Sequence, residues 1–404
     1  MSRTLFHGGT VYDGTTSLPA GGDVVVEDGR IVEVGTGLDG DEAVDCTGAY
    51  VSPGFFDCHV HVTMETPNMV ETAQTPFSLT FYQAAERLRR TLDTGITTVR
   101  DAGGADQGIK EAVERGLIAG PRMLIAITML SQTGGHGDDW SICGADVPFM
   151  VPHPGRPSGV VDGPDQVRRK VREIIRAGAD VIKVATTGGV LSARDDPRHP
   201  HFRDDEIAEM TAEASAAGIH VMAHAQGTGG IKAALRNGVR SIEHGIFLDE
   251  EAIEMMLQRG AWLVPTLHAP RAVVAAADAG VPLPTAVVDK ARYVMESHRD
   301  SVRRAHEAGV RIAMGTDCGV GIHGTNLEEL GLMVETGLSG LEALHATTGS
   351  AAELLDVATD RGTLRPGLRA DLVVVDGEPA DVSDLAGRVR SVHLDGVEVH
   401  RRDA

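Results

Sequence analysis

Between residues 54 and 363, short apolar runs alternate with helix-like segments, and six of those segments stop at a glycine. The runs end at His61, at Asp101, near Leu130, at Thr186, His224 and His244, near Leu267 and at Asp317. The helix-like segments include 78–94, 165–177, 204–217, 228–237, 249–259 and 289–308, and Gly95, Gly178, Gly218, Gly238, Gly260 and Gly309 follow them. Glycine closes a helix in the left-handed conformation at no steric cost. Eight strand–helix units in about 300 residues predict an α/β fold, a (β/α)8 TIM barrel. The two chain ends read differently. Residues 1–53 and 364–404 carry short strands and two hairpin signals, Asp28-Gly29 and Asp395-Gly396. They predict a small β-sandwich domain built from both ends, with 54–363 as the barrel. The Gly- and Pro-rich stretch 131–164, after the third strand, is placed as a loop or lid over the barrel mouth.

Barrel strands deliver their C-terminal residues to one shared mouth. Here that rule collects His59 and His61 from the first strand, Lys183 from the fourth, His224 from the fifth, His244 from the sixth and Asp317 from the eighth. His59 and His61 are two residues apart, so on a strand both imidazoles face one side, as two ligands of a metal would. Singly, Asp317 also reads as a turn or cap residue, and His224 and His244 as packed core histidines. Lys183 is harder to place in a core. It lies inside Val181-Ile182-Lys183-Val184-Ala185, in a chain with only five lysines among its 37 basic residues. Burying an ammonium there without a partner is costly, so the lysine should be neutralised, paired or chemically altered.

The chain resembles the amidohydrolase superfamily, in its branch with two metals bridged by a carboxylated lysine. The resemblance runs from Gly8-Gly9-Thr10-Val11-Tyr12-Asp13-Gly14 through Val51-Ser52-Pro53-Gly54-Phe55-Phe56-Asp57-Cys58-His59-Val60-His61 to Gly362-Thr363-Leu364-Arg365-Pro366-Gly367. It implies two divalent metal ions, with zinc expected. His59, His61 and Asp317 would hold one, His224 and His244 the other. Lys183, modified by carbon dioxide to a carbamate, would bridge them. It further implies that a hydroxide shared by the metals attacks a carbonyl, with Asp317 as general base and then acid toward the leaving amine.

Within the superfamily, Ser131–Asp138, Thr186–Ser192, Ala223–Gly227 and Gly315–Asp317 with His323-Gly324 are similar to imidazolonepropionase-like proteins and to dipeptidases that release a C-terminal residue. That likeness implies cleavage of an amide C–N bond in a dipeptide or N-acyl amino acid, Xaa-Pro dipeptidase-like. His136 is then a catalytic and substrate-binding candidate, and Gln226 and His323 are substrate-binding candidates. Arg194, His199, His201 and Arg203 are read mainly as a solvated charged loop. Gln226 departs from the Tyr of Xaa-Pro-cleaving relatives, which leaves room for a non-peptide amide, urea, carbamate or cyclic amide. Gly227, where deaminases carry a Glu, and the presence of Lys183 argue against deamination. A full ligand set argues against a non-catalytic binding protein.

A net charge of -21 disfavours nucleic acid as a partner. Four scattered cysteines with no CxxC spacing fit a reducing compartment, and no signal peptide or membrane span is read. A cytoplasmic enzyme with a small-molecule substrate is expected, without nucleic-acid or membrane partners, as a homo-oligomer.

Overall fold

The computed structural model describes residues 2–402, apart from 142, 193 and 194. Both chain ends enter one eight-stranded sheet. Ala49–Pro53 pairs antiparallel with Leu372–Asp376, Val389–Leu394 and Val397–Arg401 extend the sheet on that side, and Thr4–Val11, Ala20–Glu27 and Arg30–Gly35 extend it on the other. Both hairpins expected from sequence form. Asp28 and Gly29 have φ of 50° and 76°, and Asp395 and Gly396 have φ of 48° and 75°, the paired positive values that match the twist of the flanking strands.

The middle of the chain is parallel throughout. Phe55–Val60 pairs with Ile96–Asp101, which pairs with Arg122–Ile125. Met129–Leu130 continues that third run and pairs with Val181–Ala185, followed by His220–Ala225, Ser241–His244, Trp262–Val264 and Arg311–Ile312. The run 122–130 breaks because Ile127 has a left-handed backbone, φ 65°. The stretch after Ile312 returns to the first strand: Met314 O accepts from Cys58 N at 2.9 Å, and His59 O accepts from Asp317 N at 2.7 Å. The stretch that follows the last strand therefore touches the first strand, and His59 and Asp317 meet at that seam.

The helices match the expected segments closely: Phe77–Asp93, Pro164–Arg176, Asp204–Ala216, Thr228–Arg236, Glu250–Arg259 and Thr285–Glu307. All six glycines that follow them have positive φ. Helices absent from the sequence reading are Met69–Gln74, Gln107–Glu114, His268–Asp278 and, among the described residues, four short ones after residue 327. Among the described residues no helix is long and apolar enough to cross a membrane.

The terminal sheet is locked to the parallel strands by one cation. Arg122 donates to both oxygens of the buried Asp371, at 2.8 and 3.1 Å, and to Asp395 at 2.7 Å. Removing a partner of a buried ion pair strands the other charge. Arg122→Ala should therefore lower the unfolding free energy by roughly 3 kcal/mol, read as a fall in denaturation midpoint; an unchanged midpoint would show that the pair contributes nothing.

Candidate metal centre

The strand ends bring the sequence-derived residues together. His59, His61, Lys183, His224, His244 and Asp317 line one cavity with His136 and Gln226. Donor atoms of His59, His244 and Asp317 all lie within 4.8 Å of one another. Lys183 Nζ stands 3.3 Å from His59 Nε2, and Asp317 Oδ1 stands 3.3 Å from His61 Nε2 and 3.6 Å from His59 Nε2.

One nitrogen of each imidazole is tied down by the protein. His59 Nδ1 donates to Glu243 at 2.7 Å, His61 Nδ1 to the Gly103 carbonyl at 2.8 Å, and His224 Nε2 to the Gly188 carbonyl at 3.0 Å. His244 Nδ1 pairs with the Thr266 hydroxyl at 2.6 Å. A carboxylate or carbonyl can only accept, so in the first three the bond fixes the tautomer and leaves the other nitrogen with a lone pair. Burial pushes His59, His224 and His244 well below the ordinary histidine pKa, and neutral imidazoles are the form that ligates. Burial raises the Asp317 carboxyl, but its neighbours His59, His61 and Lys183 outweigh it and hold the group below its ordinary value. Asp317 Oδ1 is buried and, among the described residues, makes no well-directed hydrogen bond, its neighbour being His61 Nε2 at 3.3 Å. Four tied imidazoles, three of them held neutral by burial, around this carboxylate oxygen fit a divalent cation.

Burial also brings the Lys183 amine down to about 8, against the pull of Glu243 and Asp317. An amine in that range is partly neutral near physiological pH, which is the form that reacts with carbon dioxide.

Backbone strain concentrates here. His244, Thr266 and Asp317 have φ of 73°, 52° and 61°. Each such non-glycine residue costs on the order of 1–3 kcal/mol and persists only where its surroundings over-determine it. Asp57 supplies much of that determination at Asp317. Its buried carboxylate accepts from His59 N, Thr316 N, Thr316 Oγ1 and Asn326 Nδ2 at 2.6–3.1 Å. Burial pushes its pKa up to about 6.

Asp57, Glu243 and Arg100 were missed by the sequence reading. Arg100 donates to Glu243 at 2.9 Å and to the Cys58 carbonyl at 2.7 Å, so it holds the carboxylate that holds His59. The signal available was the one used for Lys183, a charge inside an apolar strand.

His136 stacks on His224, with ring centroids 4.2 Å apart and planes 19° off parallel. Its Nδ1 pairs with Ser192 Oγ at 2.8 Å and the Asp195 carboxylate at 3.3 Å, and among the described residues no hydrogen bond reaches Nε2. Burial raises the Asp195 carboxyl, and the bonds from His136 and Ser192 with the Lys290 charge outweigh it and hold it well below the usual range. Lys290, on the helix Thr285–Glu307, grips this loop by the carbonyls of Gly189, Ser192 and Asp195. Gln226 lies in the cavity wall, and its Oε1 is buried without a partner.

His323 does not line the cavity, so the expected substrate contact is not met. It is buried behind the first strand, with Nε2 on the His61 carbonyl at 3.2 Å and Nδ1 3.4 Å from Thr91 Oγ1. His199 and Arg203 do not line it either; His201 is buried apart from it, and Arg194 lies outside the described residues.

Apart from Thr266 and His298, the remaining walls are apolar, including Met64, Phe149, Val190, Ile246, Val273 and Val320. Residues 50–399 match the amidohydrolase family. The chain belongs to that family. It is a hydrolase acting on carbon–nitrogen bonds. It is 34% identical over 345 residues to ochratoxinase from Aspergillus niger, covering 81% of this chain and 70% of that protein. Among solved structures, it superposes with a TM-score of 0.91 on a prolidase complexed with N-methylphosphonate-L-proline, at 38% identity, covering 99% of this chain and 100% of the other. A Xaa-Pro dipeptidase with methionine in its active site gives 0.90 at 33% identity, with the same coverage.

Gly189 is what lets His136 lie where it does. A Cβ there would stand 2.2 Å from His136 Cε1. Gly189→Ala should therefore displace the ring and lower kcat by about 100-fold, the scale of a 1 Å misplacement, with bound metal unchanged. Unaltered kcat would remove His136 from the chemistry.

Proposed function

We propose that this amidohydrolase cleaves the amide bond of a dipeptide or N-acyl amino acid. The observation that carries the reading is the meeting of six donors from five strand ends in one cavity, beside a free Asp317 oxygen and the untied Nε2 of His136. Near-complete superposition on a prolidase and a Xaa-Pro dipeptidase supports it. We read the parallel strands as a (β/α)8 barrel whose mouth is this cavity, with the terminal strands forming the small sandwich.

His59, His61 and Asp317 would hold one metal and His224 and His244 the second, with zinc the expected ion. Lys183, as its carbamate, would stand between them as an anionic ligand, which removes the difficulty of a buried ammonium. Two divalent metals in this site would supply an acidified water and a polarised substrate carbonyl. The chain's own residues do the rest. Asp317 takes a proton from the attacking water on the carboxylate oxygen that does not hold the metal and returns it to the leaving nitrogen as the C–N bond breaks. His136, when charged against Asp195, donates its Nε2–H to the carbonyl oxygen, where negative charge develops. Gln226 offers its unpartnered Oε1 as acceptor to a donor group of the substrate.

One residue favours a second reading. A buried, neutral Gln226 in an apolar wall suits a non-peptide amide, urea, carbamate or cyclic amide as well as a peptide. Deamination and a purely binding role gain no support from the site.

The test is hydrolysis of a panel of dipeptides and N-acyl amino acids by the zinc-loaded chain in bicarbonate. Cleavage of these is expected; a panel left intact while a urea or cyclic amide is opened would move the assignment to the second reading. Lys183→Ala should retain the fold by circular dichroism, fall from two bound metals to one or none, and lose nearly all activity. Activity kept by that variant would overturn the bridging carbamate.

A further inference from the structure

Of the four tied imidazoles, His244 is the one that its partner constrains least. The groups that tie His59, His61 and His224 can only accept, whereas the Thr266 hydroxyl on His244 Nδ1 can donate or accept. The partner alone therefore does not decide which ring nitrogen keeps its lone pair, and the placement of the two side chains has to. We propose that His298 makes that placement. It is a positioning residue for His244 and so for the second metal, a role that rests on the two-metal reading above.

His298 lies on the helix Thr285–Glu307 and is 1% exposed. Its Nε2 stands 2.9 Å from the His244 carbonyl and 2.7 Å from the Pro265 carbonyl. Both oxygens can only accept, so Nε2 carries the proton and a single N–H is shared between them. The two carbonyls belong to the ends of neighbouring strands. Pairing between Ser241–His244 and Trp262–Val264 stops at Glu243 and Val264, and Pro265 has no N–H with which to carry it on. His298 stands in for the next rung.

That rung closes a ring of contacts. It runs from His298 to the His244 carbonyl, through that residue to its imidazole, and across 2.6 Å to the Thr266 hydroxyl. It returns along the backbone to the Pro265 carbonyl and His298. The two residues whose side chains meet are both left-handed, with φ of 73° at His244 and 52° at Thr266. For a β-branched residue such as threonine that backbone is an outlier, and it persists only where its surroundings hold it.

The flanks of the ring are fixed separately. The buried carboxyl of Glu329 takes Leu267 N and His268 N at 2.8 and 2.7 Å, just after Thr266. Ser301, one turn beyond His298 on the same helix, donates to the Ile246 carbonyl at 2.7 Å and accepts from Leu248 N at 3.1 Å. What these bonds leave to His298 is the point between them. Two carbonyl oxygens gathered on one N–H repel each other once it is gone, so losing His298 opens the ring where it sets His244.

The experiment titrates zinc into the full chain, stripped with a chelator, in bicarbonate, and reads two binding constants. His298→Leu should weaken one of them at least tenfold, within the roughly 10–100-fold cost of losing support to a metal-bound imidazole, and the other less than threefold. His298→Gln, whose amide N–H reaches about as far as Nε2, should bring both to within threefold of the wild type. His298→Asn, one carbon shorter, should behave as the leucine variant, and takes its place if circular dichroism shows that variant unfolded. The ring ¹⁵N resonances of His244 give a readout that needs no second metal: one fixed tautomer in the wild type and the glutamine variant, an average of two in the leucine variant. If the wild type takes up one zinc or none, yet the leucine variant alone averages the tautomers, the positioning role stands and the two-metal reading falls. Equal weakening of both constants, or a glutamine variant as weak as the leucine one, marks His298 as merely structural and overturns the proposal. So do constants and resonances that His298→Leu leaves unchanged.

Discussion

Asp57 joins the first strand of the parallel set to its last stretch, and the site depends on that junction. One carboxylate takes the backbone N–H of His59, both donors of Thr316 and the side-chain amide of Asn326. The bonds bring two segments far apart in the chain into register. They also hold Asp317 in a left-handed conformation that few other contacts would sustain. With them in place, the Asp317 oxygen is left facing His59 and His61 and, among the described residues, without a well-directed hydrogen bond of its own. Charged or polar groups so deep in a protein need every bond satisfied. Here the unsatisfied one marks where a cation belongs.

The same economy governs the histidines. Glu243, the Gly103 and Gly188 carbonyls and Thr266 each occupy one ring nitrogen, so orientation is decided before any ligand arrives. Arg100 extends the chain of support by one more residue, because Glu243 would otherwise carry an unpaired charge in a dry interior. A rigid site of this kind loses little entropy on loading.

Much of this was legible in the sequence, for reasons of period and place. Parallel strands present their C-terminal residues at one end, so the six donors could be collected by asking only what each apolar run ends on. Lys183 was legible because an ammonium in an apolar strand demands an explanation. Glu243 and Arg100 posed the same demand and were passed over because each reads as an ordinary strand residue until the other is seen opposite it. The clamp of Lys290 on the loop around Asp195 could not be read at all. It joins positions about 100 residues apart whose only relation is spatial. His323 shows the converse failure: a histidine on a loop beside the mouth can turn inward and serve the backbone of a ligand strand instead of the substrate. Helix His268–Asp278 was missed because His-Ala-Pro at its start reads as a break, although proline is tolerated in the first turn.

The pairing of Ala49–Pro53 with Leu372–Asp376 has a consequence for how the chain reaches its fold. On a ribosome the first half of the terminal sheet emerges early, and its central partner is made only after every strand of the parallel set. Until then Ala49–Pro53 presents an open edge, a surface that invites pairing with a foreign strand. Contacts this distant in sequence are slow to form. The sheet is therefore the last part of the molecule to close, and the period before its closure is when a newly made chain is most exposed to aggregation.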